Sequence, residues 1–360
     1  VVDVVKTIGS GGGRDFTTIN AWVAAIPADL VAAGQSWIGE VYNDAPFAEG
    51  GGVTFAGHIT DATHTITLRA AAGQGHTGVA GTGVVLHTSA NWEETLRFID
   101  DNVSVAGLEV DGGTFTQQRL VDLKSGARNV LVDRCILHGG TTGIVAADAA
   151  SNTQFIRNTV VYGCTTGIKF NGFVRVCIDN TTVFNCGTGI DRTSDSAAYP
   201  VLRNVVSVGN GTDYGGTGGP HMFLGTGTTN NSSGDTSAAG TNAVTGLVAA
   251  TEFVDVTVGT EDLHLKSGAV SIDSGADLSA DFTLDLDGVA RIAPWDRGAD
   301  QFVAVGGGIT GTASGAFSPL TGAASGTVAA PVTGPASGTF AALHGNASGG
   351  SLPPVLGSAA

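Results

Sequence analysis

The middle of this chain repeats itself, and that property limits its fold more than any other. Asn102–Gly113 reads NVSVAGLEVDGG and Asn129–Gly140 reads NVLVDRCILHGG, the same template 27 residues later. CILHGGTTGI (135–144), TVVYGCTTGI (159–168) and TTVFNCGTGI (181–190) then place Gly-Ile pairs at 143, 167 and 189, and VVSVGNGTDY (205–214) follows. Each unit is a set of short β-branched runs cut by Gly, Asn and Asp. No such run buries a core alone, but coils stacked on one another do, which predicts a solenoid.

Parallel stacking at about 4.8 Å per coil turns the period into columns. Val132, Ile156, Ile178 and Leu202 form one, Ile136, Val160, Thr182 and Val206 a second, and Ile144, Ile168, Ile190 and Tyr214 a third. Mostly aliphatic, all three are expected to fill the interior. Asn158, Asn180 and Asn204 form a further column at a turn, where Asn tolerates left-handed backbone and amides bond from coil to coil; Arg134 interrupts it.

Composition agrees with a large β-rich body. Gly reaches 56 of 360 residues, roughly double ordinary usage, without the strict period of collagen, and 42% apolar residues is too many for a disordered chain. A formal net charge of −16 argues against a nucleic-acid partner. No run of about 20 apolar residues is present, so no membrane insertion is expected. The opening VVDVVKTI is strand-like rather than a charged segment followed by an apolar one, so the chain is expected to be mature or never to have carried a signal. Cys135, Cys164, Cys177 and Cys186 are unevenly spaced and lack a CxxC pair, which predicts buried free thiols rather than zinc ligands.

The template resembles the right-handed parallel β-helix of the pectin-lyase-like superfamily, of the type found in phage structural and surface proteins. The resemblance is clear over residues 102–214. GSGGGRDFTTINAWVAAI (9–26) is similar to the opening of many such proteins, where a short amphipathic helix caps the solenoid, and residues 263–302 resemble the closing segment of bacterial and phage β-helix proteins. The resemblance implies an all-β solenoid. Residues 1–35 would form an N-terminal strand and capping helix, 36–302 the body with its closing segment, and 303–360 a separate arm. It implies little about activity, since the fold carries lyases, hydrolases, adhesins and virion spikes.

Superfamily members that cleave acidic polysaccharides use clustered Asp with calcium and an Arg or Lys base, or two to three carboxylates for hydrolysis. Here Asp133, Arg157, Asp179 and Arg203 occupy equivalent positions in successive coils. They read either as a catalytic edge or as a salt-bridge ladder, and regular alternation of sign favours the ladder. His138, Tyr162 and Phe184, continued by Val208, read either as a stacking platform for a glycan on an outer face or as aromatic stacking buried inside the coil, with the buried reading preferred. Asp100, Asp101, Asp111 and Asp122 are close in sequence and read as a solvated acidic patch or a cation site. The remaining histidines, at 58, 64, 76, 87, 221, 264 and 344, lack nucleophile or metal spacing. Gly9–Gly13 lacks the phosphate-loop pattern. No catalytic set stands out, and no cofactor or metal is expected.

After Phe302 every charged side chain disappears, and Ala-Ser-Gly recurs at 313, 324, 336 and 347 with Phe317, Leu320, Val328, Val332, Phe340 and Leu343 between recurrences. So few large apolar side chains do not offset the entropy of ordering such a stretch alone. The arm is therefore expected to lie against other chains of the same assembly, in a homo-oligomer that the spikes of this fold suggest is a trimer. The reading is a non-enzymatic structural or adhesive protein of a surface assembly, a phage virion decoration or appendage protein by preference, located on a virion or outside the cell. A polysaccharide lyase or hydrolase is the alternative, and a secreted carbohydrate-binding adhesin the third reading.

Overall fold

The computed structural model describes residues 1–304 except 92, 116–117, 125, 193–199 and 217–225, and only the backbone of 147–153 and 172–175. Residues 1–303 form one compact unit. The arm residues Phe317, Leu320, Val328, Val332, Phe340 and Leu343 lie outside the described residues.

The unit is a parallel β-solenoid with three faces. Five successive coils place Val103–Ala106, Val130–Asp133, residues 154–157, residues 176–179 and Val201–Arg203 on the first face, in parallel register. Glu109–Asp111, Ile136–His138, Val160–Tyr162, Thr182–Phe184 and Val206–Val208 stack as the second. The third holds Arg119–Leu123, residues 142–146 and 166–170, Thr188–Arg192 and Thr212–Gly216. Two long strands, Thr142–Arg157 and Thr166–Asp179, run through the corner from third to first face, so these faces share one sheet of thirteen strands and the second is a separate sheet of seven.

The corner from first to second face is one residue in left-handed backbone: Gly107 (φ 70°), Arg134 (49°), Asn158 (47°), Asn180 (44°) and Asn204 (59°). Asn adopts that conformation with little strain, which accounts for its column. Its amides do more than join coils. Asn204 Nδ2 donates to Asn180 Oδ1 at 3.0 Å, but Asn180 Nδ2 also donates to the carbonyls of Asp296 and Gly298, and Asn204 Nδ2 to that of Ala276.

The stack extends to the start of the chain. Val2–Ile8 pairs with Gln35–Val41, that strand with Ile66–Ala70, and that one with Val103–Ala106. Helix Ile19–Ala25, N-capped by Thr18, buries Ile19, Trp22 and Val23. Trp22 meets Phe55 edge-on, and Phe55 stacks on Phe98 at 5.3 Å.

Two of the three aliphatic columns fill the interior: Val132–Ile156–Ile178–Leu202 and Ile144–Ile168–Ile190–Tyr214 belong to the main core. Tyr214 fits there because its hydroxyl donates to the carbonyls of Val205 and Ser232. The column Ile136–Val160–Thr182–Val206 points the other way. Side chains alternate along a strand, and on the second face Leu137, Val161 and Val183 face inward. The outward column is apolar because residues 247–302 run along it, contributing Leu247, Phe253, Leu263, Leu265, Leu286 and Ala299 to a second core with Ile136, Val160 and Val206. Thr182, the polar member, accepts a hydrogen bond from Ala299 N at 3.0 Å. The closing segment is thus a strap laid along the side of the solenoid.

Candidate functional site

The acid–base column forms as the spacing implies, with Asp133 beside Arg157, Arg157 beside Asp179, and Asp179 beside Arg203. Asp179 and Arg203 satisfy one another, while Asp133 is engaged from outside the column and Arg157 Nε makes no hydrogen bond among the described residues. Arg203 holds Asp179 with two bonds of 2.6 and 2.7 Å, and Arg157 Nε lies 3.5 Å from the same carboxylate. Asp133 is engaged by Arg134 Nε at 2.9 Å and by Asn158 Nδ2 at 3.1 Å. Asp179 is fully buried, and its hydrogen bonds raise the Arg203 guanidinium above its ordinary value. The strap joins the ladder through Asp281, 2.9 Å from Arg203 Nη2. A carboxylate clamped this way is neither a general acid nor a ready metal ligand.

The aromatic column is not inside the coil as expected but on the outer side of the second face, under the strap, because Leu137, Val161 and Val183 take the inward positions. Tyr162 and Phe184 are 7% and 6% exposed and belong to the second core, with Phe184 edge-on to Phe253. His138 stacks on Tyr162 at 5.0 Å, with Nε2 2.9 Å from Glu109. As placed, Tyr162 and Phe184 offer no flat open surface to a sugar.

The four sequence-adjacent Asp residues separate in space. Asp100 is buried against His58, Nδ1 to Oδ2 2.6 Å, at the corner after the third face, and Asp101 accepts from Arg128 N. Asp111 is on the second face beside His87, and Asp122 is on the third. A segment of about 25 residues passes once around the coil, so neighbours in sequence reach different faces. They form no common patch.

Asp122 instead belongs to a cluster that sequence reading missed. Register sets Glu94 beside Arg119 and Arg97 beside Asp122 on the outer side of the third face. Lys124 Nζ lies 2.6 Å from Asp122 and 2.8 Å from Glu94, Arg119 Nη1 lies 2.8 Å from Asp122, and Arg97 Nε lies 3.2 Å from Glu94. Asp122 is fully buried, and its Oδ1 has no hydrogen-bond partner. Burial works against its charge, but hydrogen bonds from Lys124 and Arg119 outweigh it and hold the carboxyl below the ordinary Asp range. An ionised Asp122 cannot donate a proton, and Lys124 has both near carboxylates as partners. The one signal in the sequence is the 25-residue step from Glu94 to Arg119, hidden because its coil carries longer loops.

Cys135, Cys164 and Cys186 are buried, and none of the four thiols is in a disulfide. Burial pushes Cys135 up to about 12, which suits packing and not nucleophilic attack.

No protein-family model and no curated protein matches this chain. Solved structures similar to it include a pectin methylesterase from carrot, at 14% identity over 67% of this chain and 70% of that one, and pectate lyase Pel9A, at 12% identity over 83% and 97%, each with a TM-score of 0.44. The parallel solenoid itself stands on the strand register.

Proposed function

We propose that this protein is a non-enzymatic structural or adhesive component of a surface assembly, a phage virion decoration or appendage protein, anchored through residues 303–360 to other chains of that assembly. One observation supports the reading above the others. The carboxylates of the first-face ladder and of the third-face cluster are bonded to cations of their own chain, so neither is poised for proton transfer. Such pairing stiffens a scaffold. The strap adds to this by covering the second face. The arm, without a charged residue from 303 to 360 and with its apolar side chains spaced by Ala-Ser-Gly, suits strand addition or burial against a partner. The setting is a virion surface or the extracellular space, in a homo-oligomer, with a trimer as the form to test and a surface glycan as a further contact.

The test is mass by light scattering for the full chain and for a chain ending at Phe302, each alone and with the native particle. Association by the full chain only supports the assembly reading. If both chains are monomeric and neither binds, that reading falls.

A further inference from the structure

Where the strap crosses Gly78, four carboxylates gather around two side-chain cations. Asp262, Asp285, Asp287 and Asp300 lie around His264 and Arg291. His264 Nδ1 lies 2.5 Å from Asp262 Oδ1, and its Nε2 faces Asp287 Oδ2 at 2.8 Å. Asp285 is committed to the backbone, accepting from Val289 N at 2.8 Å and Gln301 N at 3.3 Å. The guanidinium of Arg291 is turned toward Asn158 and three carbonyls.

We propose that His264, Asp287 and Asp300 hold one divalent transition-metal ion, with Zn²⁺ as the probe. One potential ligand atom from each lies within 4.8 Å of the others. With metal bonds of about 2.0–2.2 Å, ligand atoms of a tetrahedral ion stand roughly 3.4 Å apart, so the 2.8 Å contact of His264 Nε2 with Asp287 Oδ2 opens while more distant atoms close in, and Asp287, with 22% of its side chain exposed, has room to move. Independently of this grouping, Asp287 Oδ1 is buried without a hydrogen-bond partner, an orphaned acceptor that a cation would satisfy.

The surroundings suit a bound ion. Asp262 on Nδ1 fixes the ring with Nε2 directed at the site, the arrangement in which an outer carboxylate orients a ligating histidine, and the ion takes the place of the proton between Nε2 and Asp287, which is released to solvent. Gly78 leaves the necessary space, because a Cβ there would stand 2.3 Å from His264 Nε2 and 2.5 Å from Asp287 Oδ1. Mixed imidazole and carboxylate donors select zinc or manganese over calcium. The ligands come from the strand Asp262–Leu265, the turn at Asp287 and the chain just before Phe302, so the ion would tie three parts of the strap together.

The test uses the full chain, stripped with EDTA and titrated with ZnCl₂ by calorimetry, beside Asp287→Asn, His264→Gln and His138→Gln. The site predicts one Zn²⁺ per chain with affinity lowered at least tenfold in the first two variants and unchanged in His138→Gln. Co²⁺ should give a visible band without thiolate charge transfer, lost in Asp287→Asn. That spectrum keeps the wild type informative if His264→Gln does not fold. No binding, binding that survives both Asp287→Asn and His264→Gln, loss in His138→Gln instead, or a thiolate band assigning the ion to cysteine would each overturn the proposal.

Discussion

Arg291 donates two hydrogen bonds, of 3.2 and 2.9 Å, to Oδ1 of Asn158, a residue 133 positions earlier at a solenoid corner. The same guanidinium donates to the carbonyls of Asp300, Gly298 and Ala299. It is almost wholly buried, and that burial lowers its pKa to about 10. This side chain rivets the strap to the coil.

Arg291→Ala leaves several buried acceptors unpaired at once and should destabilise the body by about 3–5 kcal/mol. Arg291→Lys keeps a charge but lacks the planar fork, and should recover only part of that loss. Urea midpoints for both variants, with limited proteolysis of residues 247–302, provide the measurement. An Arg291→Ala protein as stable as the parent would remove the rivet.

Asp179→Ala strands Arg203 and Arg157 beside a buried gap and should cost about 3 kcal/mol. Asp179→Leu with Arg203→Met, which removes both charges together, should restore most of the loss. If the double variant is no better than the single one, the ladder is not a self-contained pair.

Val160→Asp places a charge between the second face and the strap, among the residues of the second core. The solenoid interior, served by Val161, is left intact. Expected are dye binding to exposed apolar surface and rapid cleavage after residue 247, while parallel-sheet circular dichroism persists. Loss of all structure would show that solenoid and strap fold only as one unit.

His76 supplies a pH dependence. Its Nε2 lies 2.9 Å from the Arg134 carbonyl and its Nδ1 accepts from Gly78 N. Burial holds its pKa below 6.5. The unfolded chain therefore binds a proton that the folded chain resists, and this contribution to stability is lost as pH falls below about 6.5. Asp300, raised to about 6, acts oppositely, since its folded state takes the proton first as pH falls from 6 toward 4. The informative quantity is thus the difference between the parent and His76→Gln in their change of midpoint from pH 7 to pH 5, with the parent losing more. Equal changes would contradict it.

The regular coils were legible because their period is short and nearly constant. Register steps of 27, 24, 22 and 24 residues carry Val105 to Val132, Ile156, Ile178 and Leu202. The two coils before them were not legible. Their steps, from Trp37 to Ile66 and on to Val103, are 29 and 37 residues, because longer loops at the corners change spacing without changing stacking. Glu94, and with it the third-face cluster, was hidden for that reason. The acid–base alternation at Asp133, Arg157, Asp179 and Arg203 was readable as a ladder, because stacked register converts a column of letters directly into neighbours.

The direction of a column was harder. Ile136 and Leu137 are both aliphatic, and pattern alone does not tell which faces the interior when both sides of a strand are covered. The strap decides it, by supplying a second apolar surface from more than a hundred residues away. The histidine and carboxylates at 262–300 likewise carry no metal spacing, since three turns of irregular chain bring them together.

By itself, then, the sequence determined the stacking of coils, the left-handed corners at Asn158, Asn180 and Asn204, and two of the three expected interior columns, all consequences of local period and backbone preference. The tertiary structure alone decided which outer face is covered, which charges meet, and what Tyr162, Phe184 and His264 touch. Those outcomes depend on contacts between segments far apart in the chain, and such contacts leave no period to read.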